Sequence, residues 1–136
     1  MFDTRPKAAH ELDQELVGWL TTVTPTGQPQ SSLVWFLRDG DHLLIYSQAR
    51  ARKLANIAAN PKVAFTHRSD PDGDEMLTIE ATTTIDRSPT PADEVPAYLA
   101  KYDGAIARLG WTPEHFANEY PVLIRLTIDR IRSWED

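Results

Sequence analysis

Five polar side chains that could do chemistry crowd into one short stretch: Ser47, Gln48, Arg50, Arg52 and Lys53, inside Tyr46-Ser47-Gln48-Ala49-Arg50-Ala51-Arg52-Lys53-Leu54-Ala55-Asn56-Ile57-Ala58-Ala59-Asn60-Pro61. An apolar strand pattern, Leu43-Leu44-Ile45-Tyr46, leads in, and another, Val63-Ala64-Phe65, leads out. Between them the spacing predicts a helix of under three turns, closed at Asn60-Pro61 because proline lacks an amide proton and disfavours helix at the preceding residue. A strand feeding a helix whose start holds Ser, Arg, Arg and Lys can seat a phosphate. The helix N-terminus offers unpaired amides and about half a positive charge, and the side chains add forked and point-charge donors. A solvated face is the commoner use of three cations on a surface helix, and local sequence leaves both readings open.

The rest of the chain offers little covalent machinery. Its four histidines (His10, His42, His67 and His115) are scattered, with no H-x-H or H-x3-H pair, so no histidine metal site is expected. There is no cysteine, which removes disulfides, thiolate catalysis and cysteine metal sites. The acidic run Asp70-Pro71-Asp72-Gly73-Asp74 reads as a turn, because Glu75 to Thr82 does not complete a calcium loop of the EF-hand kind. Gly27, Gly40, Gly73 and Gly104 read as isolated turn residues, not as a dinucleotide or Walker loop. No catalytic side chain and no metal ligand is therefore assigned. A redox cofactor that carries its own hydride chemistry is consistent with such a chain, and so is a binding module.

The elements that must position the cationic stretch follow from periodicity and turn residues. Pro6 starts a helix through Leu16, with Leu12 and Leu16 on one stripe. Strands are expected over Val17–Thr24, Gln30–Arg38 and His42–Ser47, separated by turns at Pro25-Thr26-Gly27 and Asp39-Gly40-Asp41, and these three read as an antiparallel meander. Lys62–Ser69 and Glu75–Arg87 follow, the latter with Leu77, Ile79, Ala81, Thr83 and Ile85 on one face. Thr90-Pro91-Ala92-Asp93-Glu94 signals a helix start that should run to about Tyr102, and Thr112-Pro113-Glu114 signals a shorter one. Leu123–Trp134 closes the chain as a strand, with Val122, Ile124, Leu126 and Ile128 inward. Residues 1–136 read as one mainly β domain with short helices, whose six strands suit a small antiparallel barrel or sandwich.

Composition narrows the partners. Fourteen Lys and Arg against twenty Asp and Glu give a net charge of −6, which argues against nucleic acid and makes the local cluster at Arg50, Arg52 and Lys53 stand out. No apolar run approaches the roughly 20 residues of a membrane-spanning helix, and no signal peptide opens the sequence, so a cytoplasmic location is expected. With 136 residues, the chain is small for enclosing a large cofactor alone.

The spacing Tyr46-Ser47-x5-Lys53-x3-Ile57-x2-Asn60-Pro61-x-Val63-Ala64 resembles the phosphate-binding region of the pyridoxamine 5′-phosphate oxidase-like family of flavin and deazaflavin proteins. Gly27-Gln28-Pro29-Gln30-Ser31-Ser32-Leu33-Val34-Trp35-Phe36 resembles that family's first core hairpin. Arg125-Leu126-Thr127-Ile128-Asp129-Arg130-Ile131-Arg132-Ser133-Trp134 resembles the last strand of its actinobacterial, coenzyme F420-dependent branch. The resemblance implies a split β-barrel of Greek-key type, pairing as a homodimer with coenzyme F420, or alternatively FMN, at the interface. It implies an oxidoreductase that passes hydride to a small organic substrate; a non-catalytic carrier or sensor and a haem-binding relative share the barrel. By the same resemblance Lys53 is the phosphate lysine and Arg52 the basic residue beside it. Ser47 and Gln48 are the polar pair at the strand end, Arg50 is a third cation, and Val34, Trp35 and Phe36 border the ring. Ser32 stands where flavin-using oxidases carry an arginine, and Leu37 where they carry a lysine. Both departures speak against tight FMN binding and against vitamin B6 oxidation.

Overall fold

The computed structural model describes residues 1–67 and 70–136. Helix α1 (Pro6–Gln14) precedes four strands: β1 (Gly18–Val23), β2 (Pro29–Val34), β3 (Leu37–Asp39) and β4 (His42–Ser47). Helix α2 (Arg52–Ala59) leads to β5 (Lys62–His67) and β6 (Leu77–Asp86); α3 (Pro96–Arg108) and α4 (Pro113–Glu119) come before β7 (Val122–Ser133). All pairings are antiparallel, in one seven-stranded sheet ordered β2-β1-β5-β6-β7-β4-β3. Strand β4 lies beside β7 rather than beside β5, so β5, β6, β7 and β4 form a Greek key.

Seven strands replace the expected six because Gln30–Arg38 is not one strand. The chain leaves β2 at one edge of the sheet and enters β3 at the other, with only Trp35 and Phe36 between. Three residue steps reach at most about 11 Å, so the sheet must curl until its two edges almost meet. That is a barrel split along one seam. Both expected hairpins form, β1 with β2 and β3 with β4, but the middle strand of the meander is broken across the seam and β1 pairs onward with β5.

Phe36, Phe65, Leu20, Ile45, Ile79 and Ile124 fill the barrel. A second cluster (Tyr46, Tyr98, Tyr102, Ile106, Phe116 and Leu123) lies outside it, under α3 and α4. Strand β4 is buried on both faces, which accounts for its unbroken run Leu43-Leu44-Ile45-Tyr46. Strand β6 keeps the expected face of Leu77, Ile79, Ala81 and Thr83 inward. Strand β7 alternates as expected only as far as Ile128. A bulge then opposes Glu80 to Arg130 but Ala81 to Ile128, leaving Asp129 as the extra residue and turning Ile131 and Ser133 inward.

The helices begin and end differently from expectation. The signal at Thr90-Pro91 starts only a single 3-10 turn, Ala92–Glu94; α3 begins at a second proline, Pro96, and runs beyond Tyr102 to Arg108. Gly104 therefore lies inside a helix, not in a turn. Thr112 does cap α4, its Oγ1 accepting the His115 amide at 3.1 Å. Helix α1 is anchored at its start by the far end of the chain, where the Glu135 carboxylate accepts the amides of Lys7 at 3.2 Å and Ala8 at 2.7 Å. The last two residues of the expected strand Lys62–Ser69 lie outside the described residues. Among those described, no helix is long and apolar enough to cross a membrane.

Two glycines of different environment give a test of this packing. A Cβ on Gly18 would lie 2.2 Å from Cζ of Phe65, so the ring occupies the space that the missing side chain leaves. A Cβ on Gly104 would meet nothing closer than Arg108, at 3.9 Å. Gly18→Ala should lower stability by about 1–3 kcal/mol through overpacking. Gly104→Ala should raise it by roughly 0.5–1 kcal/mol through helix propensity. Urea unfolding of the two variants checks the opposite signs.

Candidate functional site

Helix α2 is seated on the barrel by one apolar and one polar contact set. Leu54 and Ile57 point into the barrel. Asn56, also buried, donates to Thr22 Oγ1 on β1 and to Gln30 Oε1 on β2, both at 3.0 Å. A buried amide that spends both protons on neighbouring strands fixes the helix in rotation as well as in depth. The residues at its start are thereby placed between two grooves. Ala51 and Lys53 line both.

The first groove, about 210 Å³, is largely aromatic: Trp35, Tyr46, Phe116 and Tyr120 line it with Leu33, Val34, Leu109 and Gln48. The second, about 490 Å³, is lined mainly by residues with polar side chains: Thr22, Gln30, Ser31, Ser32, Arg52 and Asn56. Lys53 is half-buried between them, and burial holds its ammonium below the ordinary lysine range. It is the sole charged residue in the lining of the aromatic groove. A ligand with a planar ring and an anionic tail matches this layout: ring against the aromatic wall, anion toward Lys53, Arg52 and the serines.

The aromatic wall is built from three elements that the fold brings together. Trp35 stacks on Tyr102 of α3 (centroids 4.7 Å apart, planes 7° apart) and on Phe116 of α4 (5.3 Å, 17°). Phe116 stacks in turn on Tyr120 at 4.7 Å. Phe36, the next residue, points the other way and meets Phe65 edge-on in the barrel core. The opposite facing of Trp35 and Phe36 is what neighbouring extended residues require.

Of the residues picked from sequence, Val34, Trp35, Gln48 and Lys53 line the aromatic groove, and Arg52 and Lys53 line the polar one. Three lie elsewhere. The Ser47 side chain is buried and its hydroxyl donates to the Gln48 carbonyl at 3.0 Å. The side chain of Phe36 belongs to the barrel core. Arg50 sits exposed in the turn before α2 and lines neither groove. Asn56, Phe116, Tyr120 and Lys101 went unrecognised. Asn56 could have been found, since an Asn three residues after Lys53 shares its face of a helix; Phe116 and Tyr120 are four apart but lie some sixty residues away in sequence.

Lys101 carries no motif, yet its surroundings are unusual. Its ammonium donates to the carbonyls of Phe36 at 2.8 Å and Leu12 at 3.0 Å, and lies 3.8 Å from the centroid of the Phe36 ring. Burial lowers its pKa to about 8, against upward pulls from Asp13 and Glu15. In the acidic turn, carboxylate oxygens of Asp70, Asp72 and Asp74 come within 4.8 Å of one another; Asp70 is already engaged by the Glu75 amide at 2.9 Å.

The sequence profile of the family described as pyridoxamine 5′-phosphate oxidase matches residues 4–135. The chain belongs to this family. Among solved structures, the pyridoxamine 5′-phosphate oxidase-family chain is similar to an F420 reductase, at 28% identity over 89% of this chain and 92% of that one, with a TM-score of 0.66. A conserved hypothetical protein from Mycobacterium tuberculosis shares its fold at 21% identity over 95% and 82%, TM-score 0.77. The haem storage protein HutZ from Vibrio cholerae does so at 18% identity over 93% and 92%, TM-score 0.66. No curated protein shows significant similarity.

The half-buried Lys101 has a pH signature. Its pKa is about 8 in the fold against 10.5 for an ordinary lysine. Between those values the unfolded chain holds more protons, so stability rises with pH. The buried Tyr98 and Tyr102, raised above the ordinary 10.0, act in the opposite direction once unfolded tyrosine ionises. Urea midpoints should therefore climb from about pH 8 toward pH 10 and fall beyond it. Lys101→Met should flatten much of the climb, leaving the smaller contribution of Lys53.

Proposed function

We infer that this protein is an oxidoreductase that binds coenzyme F420, or alternatively FMN, and serves hydride transfer to a small organic acceptor. The observation that carries the reading is the position of Lys53, at the join of an aromatic groove and a polar one. The donor set fits such a group: Lys53 and Arg52 with Ser31 and Ser32 for a phosphate, Trp35, Phe116 and Tyr120 for a planar ring. When bound, the deazaflavin or flavin supplies the hydride chemistry itself. The chain's own contribution is to hold the anionic end by charge-assisted donors and to pack the ring where water is excluded. Ser32 and Leu37, in place of an arginine and a lysine, favour F420 over FMN, and the similarity to an F420 reductase points the same way.

The groove also argues for a homodimer. At about 210 Å³ it is below the roughly 300–1,000 Å³ typical of small-molecule sites. Its lip carries Leu33, 53% exposed, and Leu33 pairs across the strands with Trp19, 45% exposed. A second copy against this apolar pair would cover it and deepen the groove. Neither a nucleic acid nor a membrane surface suits a chain of net charge −6.

Two measurements test the reading. Lys53→Ala removes a charge-assisted contact worth about 1.5–3 kcal/mol, so F420 or FMN affinity in a fluorescence titration should fall roughly 10- to 150-fold. Arg50→Ala should weaken binding less. Equal affinities for wild type and Lys53→Ala would remove the phosphate seat, and a Soret band on adding haemin, without flavin or deazaflavin binding, would move the assignment to haem. Light scattering at micromolar concentration should give twice the chain mass; a monomer that still binds cofactor tightly would refute the shared site.

A further inference from the structure

The seam of the barrel is closed by side chains where a sheet would use main chain. Trp35 and Phe36 lie in neither β2 nor β3, so no strand satisfies the Phe36 amide and carbonyl. Two consecutive residues of α3 do. The Phe36 amide donates to the Tyr102 hydroxyl at 2.7 Å, and that hydroxyl lies 2.9 Å from the Phe36 carbonyl and 2.7 Å from the Leu16 carbonyl, to one of which it gives its proton. The Lys101 ammonium donates to the same Phe36 carbonyl and to the Leu12 carbonyl, and covers the Phe36 ring. Leu12 lies in the last turn of α1, where carbonyls lack helical partners and a cation is favoured. The Tyr102 ring stacks flat on Trp35.

We propose that Lys101 is a positioning residue of the aromatic groove: with Tyr102 it pins the Phe36 main chain, fixes the plane of Trp35, and so sets how tightly the groove grips a ring. This rests on the ring-binding role given to the groove above. Lys101 lies outside the lining of that groove and reaches it through Phe36, Tyr102 and Trp35. Its other side opens on a separate groove lined by Asp13, Leu16, Leu37 and Arg38. Asp13 there is held by Arg38, at 2.8 and 2.9 Å. A half-buried ammonium set against two carbonyls and a ring loses hydration that favours its charged form, at a cost to stability at neutral pH. A residue that costs stability and fixes one particular main-chain segment is placed for that segment.

The experiment compares wild type with Lys101→Met, Lys101→Arg and Tyr102→Phe. Affinity for FMN and F420 is read by fluorescence titration, and stability by thermal unfolding. Acrylamide quenching of Trp35 is read in a background where Trp19, Trp111 and Trp134 are Phe. Lys101→Met should leave Tm unchanged or raised, make Trp35 more accessible to acrylamide, and weaken ring binding about tenfold, the scale of one charge-assisted hydrogen bond. Lys101→Arg should restore most of that loss. Tyr102→Phe keeps the ring stack but removes the hydroxyl, and it should loosen Trp35 in the same way; it carries the test if Lys101→Met does not fold. Unchanged Trp35 quenching, or unchanged affinity with Trp35 loosened, overturns the proposal, and so does a fall in Tm with affinity retained. If wild type binds neither FMN nor F420, the cofactor reading fails instead, and Trp35 quenching alone decides whether Lys101 positions the wall.

Discussion

Everything in this molecule depends on a two-residue crossing. Trp35 and Phe36 must carry the chain from one edge of a seven-stranded sheet to the other, and two residues cannot do so unless the sheet rolls up. The roll creates the barrel interior, and Phe36 fills it from the seam. The same crossing leaves Trp35 outside, where it becomes the wall of a groove. A single extended dipeptide, with side chains facing opposite ways, thus serves the core on one side and the site on the other. The crossing cannot be satisfied by strands, so helix α3 supplies a hydroxyl and an ammonium in their place.

Much of this architecture could be read from local pattern. Strand β6 alternates cleanly, β4 shows the continuous apolar run of a strand covered on both faces, and Thr112-Pro113 caps α4 as its residues suggest. What escaped were features fixed at long range. Nothing in Gln30–Arg38 marks the break at Trp35, because the groups that bond the Phe36 main chain, Lys101 and Tyr102, lie some 65 residues away. The bulge at Asp129 follows from the partner strand and shifts a period that looks regular in sequence. At Thr90-Pro91 two start signals compete. The second, at Pro96, wins because helix α3 must present Tyr98, Tyr102 and Ile106, spaced by four, to the outer face of the sheet.

The site divides along the same line. The placement of the cationic stretch was legible because strand, turn and helix start are contiguous, which sets Lys53 and Arg52 beside the grooves. Ser47 shows the limit of that approach. It has the right residue type at the right spacing, yet a strand position whose side chain faces inward commits its hydroxyl to the neighbouring carbonyl. Arg50 fails differently: it lies in the turn, before the helical register that sets the direction of Lys53 has begun. The aromatic half of the site was invisible locally, since Trp35, Phe116 and Tyr120 converge only when α3 and α4 fold back over β4.

On the proposed reading, the distribution of charge lets the two grooves act together. A protein of net charge −6 offers anions little attraction at long range. The cations that border the two grooves both lie at the start of α2, where Arg52 remains exposed and Lys53 is drawn partly out of water. Burial makes Lys53 costly as a free cation, and an arriving anion repays that cost by pairing with it in a medium that screens poorly. The adjoining wall adds contact area but no charge. An anion alone would gain from the first term and a ring alone from the second. On the reading proposed above, a molecule with both, joined across Ala51, gains from the two together.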